Sequence, residues 1–146
     1  YIGVTGVQTC ALPISNDTPS QDSIKTVTAA ANGANWASRV LDADFAPLSD
    51  ITLAYVNVFR MKDVSADVAI QGPANVVFSG NGRVFDIKGA PITEYQIFRV
   101  SRPGADRAMC VFVTPGGGIR TCDPAITSGK PFACLPLVSA EKCPKP

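Results

Sequence analysis

The run RAMCVFVTPGGGIRTCD, residues 107–123, decides how the rest of the chain is read. Residues 108–114 are dense in β-formers, and residues 119–122 continue beyond the glycines. Between them stand Pro115, Gly116, Gly117 and Gly118, which cannot propagate a helix and suit a tight reversal. The run therefore predicts a β-hairpin with one thiol on each arm, Cys110 and Cys122. If 115–117 form the loop, Cys110 faces Cys122. If 115–118 form it, Cys110 faces Asp123.

The same alternation spreads outward from this hairpin. Residues 93–101 read as the strand that pairs with 107–114. Residues 76–78 and 83–85 flank Ser79-Gly80-Asn81-Gly82 and read as a second hairpin. Residues 36–41 alternate weakly around Trp36. In residues 51–61, Ile51, Leu53, Tyr55, Asn57 and Phe59 fall on one face. Gln71-Gly72-Pro73 and Lys88-Gly89-Ala90-Pro91 break the chain between strands. The sum is about seven strands separated by turns, a mostly antiparallel β-sheet or sandwich without internal repeat. Residues 123–146 hold five prolines, which rules out a central strand, and predict an irregular tail over the sheet.

Composition narrows the function. At 146 residues, with 46% hydrophobic and 17% charged residues, the chain is one globular domain able to bury a core. No apolar run is long enough to span a bilayer. The formal net charge of +1 favours neither nucleic acid nor an acidic substrate. Residues 15–82 carry four basic and seven acidic side chains, and residues 83–146 carry nine and five. This skew makes the C-terminal half the candidate polyanion-facing side. There is no histidine. The commonest general base and metal ligand is thus absent, which argues against an enzyme.

Leaving out Cys10, the cysteines are Cys110, Cys122, Cys134 and Cys143. An even number in a small β domain predicts structural disulfides and an oxidising compartment. Of three connectivities, Cys110–Cys122 with Cys134–Cys143 is preferred. Cys122–Cys134 with Cys110–Cys143 is the main rival. Spacings of twelve, twelve and nine lack any C-x-x-C knuckle and disfavour zinc. Asp42, Asp44 and Asp50 lack the glycine and distal glutamate of a calcium loop. Neither glycine turn carries the lysine-serine ending of a phosphate loop, and no cofactor is expected. Arg120, Lys130, Lys142 and Lys145, with Arg99, Arg102 and Arg107 on neighbouring strands, form a candidate basic strip for DNA phosphates.

Residues 4–14, VTGVQTCALPI, resemble a translated sequencing adapter, with a short native strand as the alternative. Residues 1–14 are accordingly expected to be non-native. The domain proper is then expected to run over 15–146, and Cys10 carries no information.

Four pieces in order, ANWASRVLDAD with its tryptophan (34–44), VVFSGNGRVF (76–85), CVFVTPGGGIRTCDPA (110–125) and GKPFAC (129–134), resemble the C-terminal part of FimT/GspH-type minor pilins and pseudopilins. The resemblance implies an α+β pilin-like fold in the full-length family. A long apolar N-terminal helix packs there on a β-sheet head. The part seen here would be mostly antiparallel β-sheet with a disulfide-stapled C-terminal tail. It implies a structural role in a type IV pilus or type II secretion system, in the bacterial cell envelope. The implied partners are other major or minor pilins or pseudopilins, and the inner membrane through the N-terminal helix. This sequence departs from the family where that helix should be. A head lacking it is expected to leave one sheet face apolar and exposed. Some family members take up DNA through a basic G-R-x-R turn. At the matching positions Gly118 replaces the first arginine, and only Arg120 remains.

Overall fold

The structure, a computed structural model, describes residues 8–14, 31–33, 35–44, 55–59 and 67–146. Of the strand expected over 51–61, residues 51–54 and 60–61 lie outside the described residues. The described strands are β1 (Gln8–Ile14), β2 (Asn35–Leu41), β3 (Tyr55–Phe59), β4 (Ala69–Gln71), β5 (Val76–Phe78), β6 (Val84–Phe85), β7 (Gln96–Ser101), β8 (Ala108–Val113) and β9 (Ile119–Cys122). They form a five-stranded sheet, β3-β2-β1-β5-β6, and a four-stranded sheet, β4-β7-β8-β9. Every strand pair is antiparallel. The two predicted hairpins, β5-β6 and β8-β9, are both present, as is the pairing of β7 with β8. Among the described residues no helix is long and apolar enough to cross a membrane.

The loop of the β8-β9 hairpin is 115–117. The Thr114 N–H donates to the Gly118 carbonyl at 2.9 Å, and the Gly117 N–H donates to the Thr114 carbonyl at 2.8 Å. Gly117 has φ +83°, the left-handed conformation that closes a three-residue hairpin loop. A Cβ on Gly117 would also collide with the Gly82 carbonyl. The Val84 N–H donates to the Pro115 carbonyl at 3.0 Å. The two glycine turns thus dock on each other and join the sheets at that end.

The four-stranded sheet has two apolar faces because its strands alternate. On one, Phe98 and Val113 pack with Ile70 and with Val76 and Val84 of the five-stranded sheet, helped by half-buried Trp36. On the other, Cys110, Phe112 and Cys122 pack with Cys134, Val138 and Cys143 of the tail. The second face therefore has no sheet over it. The irregular tail covers it, as the prolines require.

The run taken as adapter-like contains β1, which lies between β2 and β5. Its Pro13 lies beyond the three residues that β5 pairs, at the strand end where a proline is tolerated. Next to it, the Asn32 N–H donates to the Gly72 carbonyl at 3.0 Å, and the Gly72 N–H donates to Asn32 Oδ1 at 2.9 Å. This reciprocal pair fixes the entry to β2 against the end of β4.

Candidate functional site

The geometry of one cross-strand row explains the C-terminal unit. Arg99 of β7 stands opposite Cys110 of β8, and Cys110 opposite Cys122 of β9. The tail meets this row at three points. Cys134 bonds Cys122, Cys143 bonds Cys110, and the Arg99 Nε–H donates to the Pro144 carbonyl at 3.0 Å. The tail thus crosses beneath β9, β8 and β7 in turn. The Sγ atoms of Cys134 and Cys143 lie 3.6 Å apart, so the two disulfides touch in the core.

The preferred pairing, Cys110–Cys122 with Cys134–Cys143, is therefore corrected to the rival. The register condition for the preferred pairing is met, since Cys110 does face Cys122. Register is not sufficient. Thr114 and Gly118 close the hairpin as a hydrogen-bonded pair, and counting by twos makes Cys110 and Cys122 another such pair. In that class the Cβ atoms stand near the wide end of about 4.5–5.5 Å, whereas a disulfide needs about 3.8 Å. Both side chains instead point to one face, and each takes a partner from below.

Asp123, of the C-D-P-A exit, is buried and holds the start of the tail. Its Oδ1 accepts from the Ala125 N–H at 2.8 Å, and its own N–H donates to the Phe132 carbonyl at 2.8 Å. Arg107 lies 3.6 Å from its other carboxylate oxygen.

The candidate basic residues do not converge. Lys142 Nζ is 2.7 Å from Glu94 Oε2, at the β7 side of the sheet. That hydrogen bond, and then the charge of Lys142, hold the Glu94 carboxyl below its usual range. Lys145 follows Pro144 on the same side. Arg120 and Lys130 belong to the β9 side, with β8 between. Of the neighbours, Arg102 pairs with Asp67 at 2.6 Å, Arg107 with Asp123, and Arg99 with Pro144, Gln71 and Ser101. Arg120, Lys130 and Lys145 are exposed and carry no ion pair among the described residues.

Two hollows remain. A groove of about 260 Å³ opens between the sheets and is lined wholly by apolar side chains, among them Trp36, Phe78, Phe98, Val100 and Val111. The Trp36 and Phe98 rings meet edge to face at 5.0 Å. A second hollow of about 470 Å³ lies between β9 and the tail, walled by Phe112, Arg120, Phe132 and Leu137.

No family model, curated protein or solved structure matches this chain.

Among the described residues, the only acidic or thiol group compact enough for a metal is Cys122, Cys134 and Cys143, and its sulfurs are engaged in disulfides. Asp42 and Asp44 form a local turn, in which the Asp44 N–H donates to Asp42 Oδ1 at 2.9 Å, and Asp50 lies outside the described residues. Sequence reasoning missed both hollows. Trp36, Phe98 and Val111 come from three separate strands. Phe132 and Leu137 lie in the proline-rich tail, where no period signals a surface.

Proposed function

We propose that the chain is the globular head of a minor pilin or pseudopilin, structural in the assembly or priming of a type IV pilus or type II secretion filament. The observation that carries this reading is the apolar groove between the sheets. A groove lined only by apolar side chains is a suitable seat for a further apolar element. The family resemblance supplies one of suitable chemistry, the apolar N-terminal helix. The disulfide-linked tail supports the same reading, since paired thiols fit a cell-envelope compartment.

Determining the coding sequence that adjoins this chain on its N-terminal side tests the proposal. A short basic leader, a prepilin-type junction and an apolar helix are expected. A conventional cleavable signal peptide in that place would contradict it. Trp36 is the only tryptophan and lines the groove, so it reports occupancy. Adding an apolar helical peptide is expected to shift its emission to shorter wavelength if the peptide seats in the groove.

A second reading is a minor pilin that binds DNA during uptake. It is favoured by the exposed, unpaired Arg120, Lys130 and Lys145, with Lys142 shared with Glu94. A mobility shift titrated with salt decides it. Arg120→Ala is expected to weaken binding and flatten the salt slope by about one. Unchanged affinity would remove this reading.

A further inference from the structure

The geometry points to the free edge of β9 as a docking site for an extended segment of a partner protein, one carrying a bulky apolar side chain and a carboxylate two residues apart. This strand ends its sheet. Because Thr114 and Gly118 close the hairpin by a hydrogen bond, Arg120 and Cys122 direct their backbone groups toward β8. Ile119, Thr121 and Asp123 then direct theirs outward. The Asp123 N–H is used, donating to the Phe132 carbonyl in a parallel bridge with Ala133. The tail thus begins to add a strand to this edge and then leaves it. Phe132 adopts φ +64°, a conformation rare for a bulky residue, and this bend turns the preceding residues away. Ile119 and Thr121 remain exposed, with their outward N–H and C=O groups unbridged among the described residues.

Side chains beside this edge favour a particular occupant. Ile119 is 63% exposed, Phe132 71% and Leu137 54%, and the latter two wall the 470 Å³ hollow. Exposed apolar side chains grouped in one patch mark an interaction surface, whereas single ones need no explanation. A strand added along β9 would direct alternate side chains into the hollow, one of them apolar and filling it. Its neighbour two residues along would lie on the same face, beside Arg120, and Lys130 is exposed in the adjoining tail. Both cations are unpaired among the described residues, so a carboxylate complements them. Ile119 also lines the groove between the sheets, whereas Arg120, Phe132 and Leu137 line this hollow alone, so a helix seated in the groove would share one side chain with the docking surface and leave the rest open.

The test uses the whole oxidised chain, labelled with nitrogen-15, and the capped peptide acetyl-TVTFTDTVT-amide. The peptide is expected to shift amide signals of Ile119, Thr121, Phe132 and Leu137. Thr121→Pro deletes one outward N–H and leaves the bonds to β8 in place, so the fold should persist while affinity falls at least tenfold. Phe132→Asn tolerates the left-handed backbone and should also weaken binding. Replacing the peptide's Asp by Asn should weaken it for the wild type but not for Arg120→Ala. Shifts elsewhere, equal binding by Thr121→Pro, or no shift at millimolar peptide would overturn the proposal. So would concentration-dependent self-association abolished by Thr121→Pro, which assigns the edge to a second copy. Displacement of the peptide by duplex DNA would also overturn it, assigning the surface to nucleic acid.

Discussion

The two faces of the four-stranded sheet are both apolar, but only one carries cysteines, and they are closed in opposite ways. One face holds Cys110, Phe112 and Cys122 and is sealed by a tail with two disulfides. The other holds Phe98 and Val113 and meets a second sheet across an apolar groove. A chain segment with five prolines cannot supply a ladder of backbone hydrogen bonds, so covalent links hold it. A sheet supplies its own ladder, and packing alone suffices. The contrast teaches that covalent links hold the first face, which keeps an open hollow only beside β9, whereas packing alone holds the second around an apolar groove between the sheets.

Cutting the covalent links should give the largest effect. Replacing Cys110 and Cys143 together by serine opens a link across 33 positions, against 12 for Cys122 and Cys134. Both pairs should cost about 3–4 kcal/mol in chemical denaturation, with the longer loop costing more by up to about 1 kcal/mol. Equal loss from both, or a larger loss from the shorter, would break the account of the tail face. The next effect concerns the docked turns. Gly117→Ala should cost about 2 kcal/mol or more, from the left-handed backbone and the collision with Gly82.

A matched pair of substitutions then sharpens the contrast itself. Val138→Ile adds a methylene to the sealed face, where Val138 is 1% exposed, and should destabilise by about 1–3 kcal/mol. Val111→Ile adds the same group to the groove and should be neutral or stabilise by up to about 0.8 kcal/mol. Effects of the same sign and size would show that the faces do not differ in packing. The smallest effect is at the surface. Because the folded-state Glu94 carboxyl is held below its usual range by Lys142, the pair contributes above the ordinary carboxylate pKa and is lost as pH falls through the lowered value. Glu94→Gln should remove that acid-limb dependence while barely moving stability at neutral pH, because both groups are exposed.

Much of the fold was legible in local sequence. The P-G-G-G turn, the G-N-G turn and the alternation in 93–101 and 108–113 specify the hairpins and the β7-β8 pairing, because turn chemistry and period 2 act over a few residues. The two registers open to Cys110 were also local, and the 115–117 loop selects the one opposite Cys122. Their bonding partners were not legible. Those depend on where the tail crosses the sheet, a contact made across 33 positions for Cys143. The docking of Gly117 on Gly82 was hidden for the same reason, since each turn is self-sufficient in sequence. Of the candidate cations, Arg120 and Lys130 lie apart from Lys142 and Lys145 because the tail carries the latter across three strands. The β1 slot and the short β4 strand add to the seven strands expected. One came from a run set aside as adapter-like, and the other is only three residues long.

The account rests on the tail crossing one row of residues, and tryptic mapping without reduction tests that most directly. Cleavage at Arg107, Arg120 and Lys142, with Lys130-Pro131 resisting, yields peptides 108–120, 121–142 and 143–146. The predicted result is 108–120 joined to 143–146, with 121–142 separate and closed on itself by Cys122–Cys134. A single species joining all three peptides would contradict it, because both other connectivities produce that product.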